Sequence, residues 1–406
     1  MNVVIIGAGQ AGAWTARSLR TEVPDAHITL IGDEPHAPYE RPPLSKGVLA
    51  GHQEAPPCLL SATQAQDLNI DLQLSSLVTR IDRSSRTVWH GAEARLPYSH
   101  LVLATGGRAR PAVVSGADLP GVHTLRSMQD AVRLREAMRS AQRLLVVGGG
   151  WIGLEVAATA RRMGLDVLLI EHGPRLCARS VPPAISDVLL QMHRREGVEV
   201  QFGTTLLSMA ARSDGAGLVA ETSTGQAESV DLVVLGMGLV PNVELALACG
   251  LDVNDGVVVD VTGRTSDPLI YAVGDVARRP CAWPGAIAGS TSRMESWANA
   301  QNEGIALGRT LAGRERTAPE LPWFWSDQYD SHLQVLGVPQ GSPETILRGS
   351  VADGKFCMFE MVDGRFQSMI AVNMPKEIKL AKRWNKQNRW PSASALADTT
   401  VALETL

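Results

Sequence analysis

Two stretches of this chain follow one plan: MNVVIIGAGQAG at residues 1–12 and LLVVGGGWIGLE at residues 144–155. In the first, Val3–Ile6 is a continuous β-branched run, the mark of a parallel strand buried on both faces. Gly7, Gly9 and Gly12 follow at GxGxxG spacing. The first glycine makes the tight turn, the second lets backbone approach a pyrophosphate, and the third lets helix pack on strand. The helix from Gln10, with Ala11 in its first turn, aims its N-terminal NH groups at the phosphates. A second strand, Ile28–Ile31, ends at Gly32-Asp33-Glu34, where an acid can hydrogen-bond ribose hydroxyls. A merely structural glycine turn leaves that acid unexplained.

The second copy repeats every part. Leu144–Val147 is the strand, and Gly148, Gly150 and Gly153 are the fingerprint, with Ile152 and Glu155 on the helix that opens there. Strand Val167–Ile170 ends at Glu171, whose carboxylate should accept from adenosine ribose hydroxyls and repel a 2′-phosphate. This cradle is therefore expected to prefer NADH to NADPH. Arg175 and Arg179 lie just beyond, and the alternative is that they bind such a phosphate.

Two cradles imply two dinucleotides and more than one domain, which the 406-residue length also requires. A formal net charge of −4 argues against a nucleic-acid binder. No apolar run approaches the roughly 18 residues of a membrane span. The chain enters a strand at Val3 without a basic leader, so we expect no signal peptide and a cytoplasmic location. The five cysteines are dispersed, with no CxxC pair, which suggests reduced thiols and no metal site.

A third stretch, TSDPLIYAVGD at Thr265–Asp275, delivers Asp275 at the carboxyl end of a short strand, where open α/β sheets bind ligands. With this stretch the chain resembles the FAD-dependent pyridine-nucleotide oxidoreductases. The resemblance implies a fold of two Rossmann-like dinucleotide-binding domains, glutathione-reductase-like, with a smaller α+β domain at the C-terminus. It also implies FAD in the first cradle, Asp275 on the flavin ribitol, Ala104-Thr105-Gly106 as a second FAD motif, and Gly236–Gly238 as its counterpart in the NAD domain. The NAD domain (113–240) would interrupt the FAD domain (1–112 and 241–320), with 321–406 forming the third.

YERPPLSK at Tyr39–Lys46, SMQDA at Ser127–Ala131, ESWANAQNEG at Glu295–Gly304 and LPWFWSDQ at Leu321–Gln328 sharpen this. They resemble the ferredoxin reductases of Rieske-type aromatic-ring-hydroxylating dioxygenase systems, and more distantly putidaredoxin reductase. YERPPLSK lacks cysteine, and a dithiol relay needs neighbouring thiols, so disulfide-reductase chemistry is not expected. The resemblance implies hydride transfer from NADH to FAD, then single electrons to a [2Fe–2S] ferredoxin. It places Lys46 nearest the flavin N5, paired with Glu155; the alternative is a structural salt bridge. It puts Trp297 at a helix N-terminus facing the flavin and Trp325 over the ring. Arg41, Val78 and Arg126 match positions that touch FAD, although Val78 reads equally as core and Arg126 as a helix cap. Trp323 is expected in the core. Other readings are a reductase serving a cytochrome P450 or a rubredoxin, or an NADH sensor resembling apoptosis-inducing factor.

Gly349–Ala371 reads as an antiparallel hairpin. In the segment after it, Lys379, Lys382, Lys386 and Arg389 recur at helical spacing, with Ile378, Ala381 and Trp384 toward another face. That stripe is either a solvated face or a docking surface for an acidic ferredoxin. Ala393–Leu406 carries no specific signal.

Overall fold

The computed structural model describes residues 1–283, 286–315, 320–338 and 343–406. The chain forms two compact units. The first joins Met1–Glu40, Pro57–Arg108 and Val240–Trp323; the second joins Arg41–Pro56, Ala109–Leu239 and Phe324–Leu406.

In the first unit a parallel sheet runs in the order Ile270–Ala272, His100–Leu103, Asn2–Ile6, His27–Ile31, Ile70–Gln73. Side chains alternate across a strand, so Val3 and Ile5 enter one core and Val4 and Ile6 another. On the first side lies helix Gln10–Glu22, crossed by helix Trp297–Leu311. The crossing is close because two glycines line it: a Cβ on Gly304 would stand 2.6 Å from the Ala11 carbonyl oxygen, and one on Gly308 would stand 2.7 Å from Leu19 N. On the other side Val78, Ile81 and Val88, from a small antiparallel sheet, join Val4, Ile6 and Leu101.

The second unit repeats the plan: Val198–Phe202, Asp166–Glu171, Arg143–Val147, Leu232–Leu235, Val122–His123, all parallel. Here the same alternation splits Leu144 and Val146 from Leu145 and Val147. Leu144 and Val146 share one core with Leu333, Val335, Phe356, Met358, Ile370 and Val372 of the C-terminal antiparallel sheet. That sheet includes the expected hairpin, Lys355–Val362 with Arg365–Val372. Asp363 and Gly364 turn it with φ of +50° and +72°, the positive pair a two-residue loop demands.

Helix Pro375–Lys386 packs Ile378, Leu380, Ala381 and Trp384 inward. The basic stripe differs from expectation. Lys382 is half-buried, and Arg389 lies past the helix end, beyond a left-handed Asn388 at φ +49°. The exposed basic face is instead Lys376, Lys379, Arg383 and Lys386, which keeps the 3.6-residue period. The C-terminal stretch, silent in the sequence, is held by buried Arg348, which donates to the carbonyls of Leu396, Asp398 and Val401.

Candidate functional site

Both glycine turns sit where their sheets change direction, between a central strand and its neighbour. Gly7 has φ +112°, and a Cβ there would stand 2.1 Å from the Ala104 carbonyl oxygen across the gap. Gly148 has φ +108°, and its Cβ would stand 2.5 Å from the Gly236 carbonyl oxygen. Thus Ala104 and Gly236, ends of the two ATG- and GMG-type turns, lie against the two fingerprints. Gly12 and Gly153 touch their own turns: an added Cβ would meet the carbonyl oxygens of Gly7 and Gly148 at 2.0 and 2.1 Å. Gly9 and Gly150, the helix N-caps, have no atom within 4 Å of an added Cβ. Open space over a helix N-terminus, backed by filled glycine contacts, fits the pyrophosphate of a dinucleotide in both units.

Around the first turn, Thr105 Oγ1 donates to the Asn242 carbonyl at 2.8 Å, and Asn242 Nδ2 returns a bond of 2.9 Å to the Thr105 carbonyl. Gly106, at φ +60°, completes the turn. Gly274, at φ +77°, brings Asp275 up to Ala11: its added Cβ would stand 2.8 Å from the Ala11 Cβ. Asp33 is exposed, while Glu34 accepts from the Tyr39 hydroxyl at 2.5 Å. Trp297 opens its helix behind the N-cap Ser296. Burial raises the Glu40 carboxyl above its ordinary range, with the neighbouring Trp297 side chain opposing. Val78 is enclosed in the core, which accounts for it by packing.

In the second unit Glu171 accepts from the backbone NH groups of Gly149 and Gly173, each at 2.7 Å, and His172 Nδ1 lies 2.9 Å away. Its two oxygens keep further lone pairs for a ligand. Ile152 stands exposed on the first turn of the helix, and Gly238 has φ +99°. Arg175 is committed to the loop. It donates to Val181 O at 2.7 Å, Ser186 Oγ at 2.8 Å and Ala178 O at 2.7 Å. Arg179 is exposed, its guanidinium 3.7 Å from where a Cβ on Gly238 would stand.

Four further candidates belong to this unit: Arg41, Lys46, Arg126 and Trp325. Lys46 Nζ stands 2.6 Å from Glu155 Oε2, and the carboxylate is only 4% exposed. Lys46 also donates to Pro42 O at 3.1 Å, Ser45 Oγ donates to the same Glu155 oxygen, and Thr159 Oγ1 donates to Ser45 O at 2.8 Å. Removing one partner of a buried pair costs about 3–5 kcal/mol. Arg41 Nη1 donates to the Arg126 carbonyl at 2.6 Å. The cap of helix Met128–Met138 is Ser127, in a reciprocal box with Asp130, so the Arg126 side chain is not the cap. Trp325 is half-buried on strand Trp323–Gln328. Trp323, expected in the core, is also only half-buried.

Sequence reasoning missed the companions of Glu155: Ser45, Thr159 and Ser326, whose Oγ donates to Glu155 Oε1 at 2.6 Å. A glutamate on the inward face of an otherwise apolar helix was the available signal, since a buried carboxylate requires partners.

The pyridine nucleotide-disulphide oxidoreductase description matches residues 1–304, and a reductase C-terminal description matches residues 323–406. The chain belongs to the pyridine nucleotide-disulphide oxidoreductase family. It is 41% identical to rhodocoxin reductase of Rhodococcus erythropolis, over 94% of this chain and 89% of that protein. It is 39% identical to the anthranilate 1,2-dioxygenase system ferredoxin–NAD(+) reductase component of Burkholderia cepacia, over 99% and 98% of the two chains. Among solved structures it resembles the ferredoxin reductase for the CYP199A2 system from Rhodopseudomonas palustris. That match has a TM-score of 0.94 and 36% identity, covering 100% and 99%. Unlike the disulphide chemistry in the family's description, none of the five cysteines is paired, and four of them are at least half-buried. Burial pushes the Cys177 and Cys357 thiols up, Cys357 to about 12, which disfavours the reactive thiolate. Among the described residues no metal-binding cluster occurs, and no helix is long and apolar enough to cross a membrane.

Proposed function

We propose that this protein is an FAD-dependent NADH:ferredoxin oxidoreductase, cytoplasmic, that supplies a [2Fe–2S] ferredoxin of an aromatic-ring-hydroxylating dioxygenase. The observation that carries this reading is the pair of open glycine cradles in a chain that matches 98% of a ferredoxin–NAD(+) reductase component. When bound, FAD accepts hydride from NADH and releases electrons singly. The protein's own residues hold and orient. Gly7, Gly9, Ala11 and Gly12 seat the FAD pyrophosphate, Asp33 or Glu34 accepts from its ribose, and Asp275 accepts from the ribitol, with Ala104–Gly106 closing the turn. Gly148, Gly150, Ile152, Gly153 and Gly238 form the NADH seat, and Glu171 accepts from the adenosine ribose. By the family resemblance, Lys46, held by Glu155, would supply the cation that faces FAD, and the helix opening at Trp297 would offer its dipole to the reduced flavin. By the same resemblance, Arg41, Arg126 and Trp325 would be among the residues that touch FAD. Residues 1–112 and 241–320 thus serve FAD, 113–240 serve NADH, and 321–406 serve the partner.

The test is NADH-driven reduction of a Rieske-type ferredoxin by the FAD-loaded protein. Rapid multiple turnover is expected. A long-lived reduced complex with slow turnover would favour an NADH sensor instead. The likeness to the reductase of the CYP199A2 system supports a second reading, in which the ferredoxin serves a cytochrome P450. Comparing ferredoxins of both kinds as acceptors decides between them.

A further inference from the structure

Glu155 ends a line of buried polar groups that runs through the second unit. Ser326 Oγ lies 2.6 Å from Glu155 Oε1, and Gln328 Nε2 lies 2.9 Å from Ser326 Oγ. Gln328 Oε1 lies 2.8 Å from His193 Nε2, and the Tyr329 hydroxyl lies 3.2 Å from His193 Nδ1. Ser326, Gln328 and His193 are 1%, 2% and 0% exposed. Ser326 and Gln328 point inward because they share one face of the strand with Phe324, which packs on Trp151.

The direction of each bond follows from the acceptor end. A carboxylate offers only lone pairs, so Ser326 donates to it. With its one proton spent, the Ser326 oxygen accepts from the Gln328 NH2 group. Gln328 must then turn its carbonyl to His193, which donates from Nε2. Nδ1 is left as the acceptor, and Tyr329 donates to it. Every donor faces Glu155, and such a chain polarises each member toward the carboxylate. The Gln328 amide passes no proton from its oxygen to its nitrogen, so the line orients and does not conduct. Apolar side chains would fill the same space without desolvation cost, so a fully satisfied polar line here points to a task beyond packing.

We propose that Ser326, Gln328 and His193 are positioning residues for hydride transfer: they fix the Glu155 carboxylate and, through its other oxygen, the Lys46 ammonium. This rests on the reading that the Lys46–Glu155 pair faces the flavin. Three side chains outside the glycine fingerprints thereby set the geometry of the Glu155 carboxylate.

The test uses the FAD-loaded protein and rapid-mixing reduction by NADH. Ser326→Ala should lower the limiting rate by between about tenfold and a hundredfold, the usual cost of misplacing a catalytic group. The NADH dissociation constant should hold, and Ser326→Thr, which keeps the hydroxyl, should restore the rate. In a Glu155→Gln background Ser326→Ala should add nothing. Independently of turnover, nitrogen NMR of the labelled imidazoles should show His193 as the Nε2–H tautomer in the wild type and lose that preference in Ser326→Ala. A wild-type rate in Ser326→Ala beside a slow Glu155→Gln overturns the positioning role alone. A wild-type rate in Glu155→Gln overturns the reading of the pair itself. Additive losses in the double variant, or an Nδ1–H tautomer in the wild type, also overturn the inference. If Ser326→Ala fails to hold FAD, the wild-type tautomer decides.

Discussion

Acidification should destabilise this protein through His193 in a window that can be calculated. Burial lowers the His193 imidazole from 6.5 to about 4, with its hydrogen bond to Gln328 opposing the shift. The folded state therefore keeps the ring neutral while the unfolded chain takes up a proton. Over that interval the unfolded state binds more protons, so stability rises with pH. The contribution is fully present above the unfolded value and is lost as pH falls from about 6.5 toward 4. At about 1.4 kcal/mol per unit, the full loss is about 3 kcal/mol, of which about 2 kcal/mol is gone by pH 5. Urea unfolding of the FAD-loaded protein at several pH values, compared with His193→Gln, isolates the contribution of this ring. The variant lacks the titrating ring, whereas the other histidines and the carboxylates remain common to both. The stability gap between wild type and variant should shrink by about 2 kcal/mol between pH 7 and pH 5. A gap independent of pH, or an imidazole that titrates near 6.5 by NMR, would refute the argument that burial holds this ring neutral.

Three further outcomes are expected. Glu171→Ala should lower NADH efficiency and relax the bias against NADPH, because a buried hydrogen-bonding partner contributes roughly 1–3 kcal/mol; an unchanged NADH/NADPH ratio in steady-state kinetics removes Glu171 from the site. Replacing all five cysteines by Ser or Ala should leave NADH-to-acceptor electron transfer intact while costing stability at buried Cys177 and Cys357; a single replacement that stops flavin re-oxidation with FAD content unchanged reinstates a thiol relay. Reversing Lys379 and Arg383 to Glu should slow ferredoxin reduction and flatten its salt dependence, since exposed charges act over about 10 Å at 0.1 M salt. Ferricyanide reduction should stay near wild type, and equal losses with both acceptors would assign the helix to the fold instead.

The repeated glycine turns were legible because a cradle is local: strand, turn and helix are adjacent in sequence, and glycine alone satisfies a positive φ beside a carbonyl such as that of Ala104 or Gly236. The positions of Asp33, Glu34 and Glu171 were legible for the same reason, since the first two follow the end of the next strand and Glu171 is the last residue of its own. The Asp363-Gly364 hairpin was equally local. The basic helix was placed correctly but its exposed face was not. Arg389 leaves the stripe because the helix stops at Lys386 and Asn388 turns left-handed, while Lys382 lies beside the inward Ala381, one turn from buried Ile378; the charge pattern encodes neither. The line from Glu155 to Tyr329 was invisible. Its members come from residues 155, 193 and 326–329, and only the shared core beneath the C-terminal sheet brings them within hydrogen-bond distance. Sequence alone determined what each strand–turn–helix could hold, because those contacts span a few residues. Which buried polar groups would satisfy one another was decided only by tertiary packing, because a hydrogen bond is fixed by a 3 Å separation and not by distance along the chain.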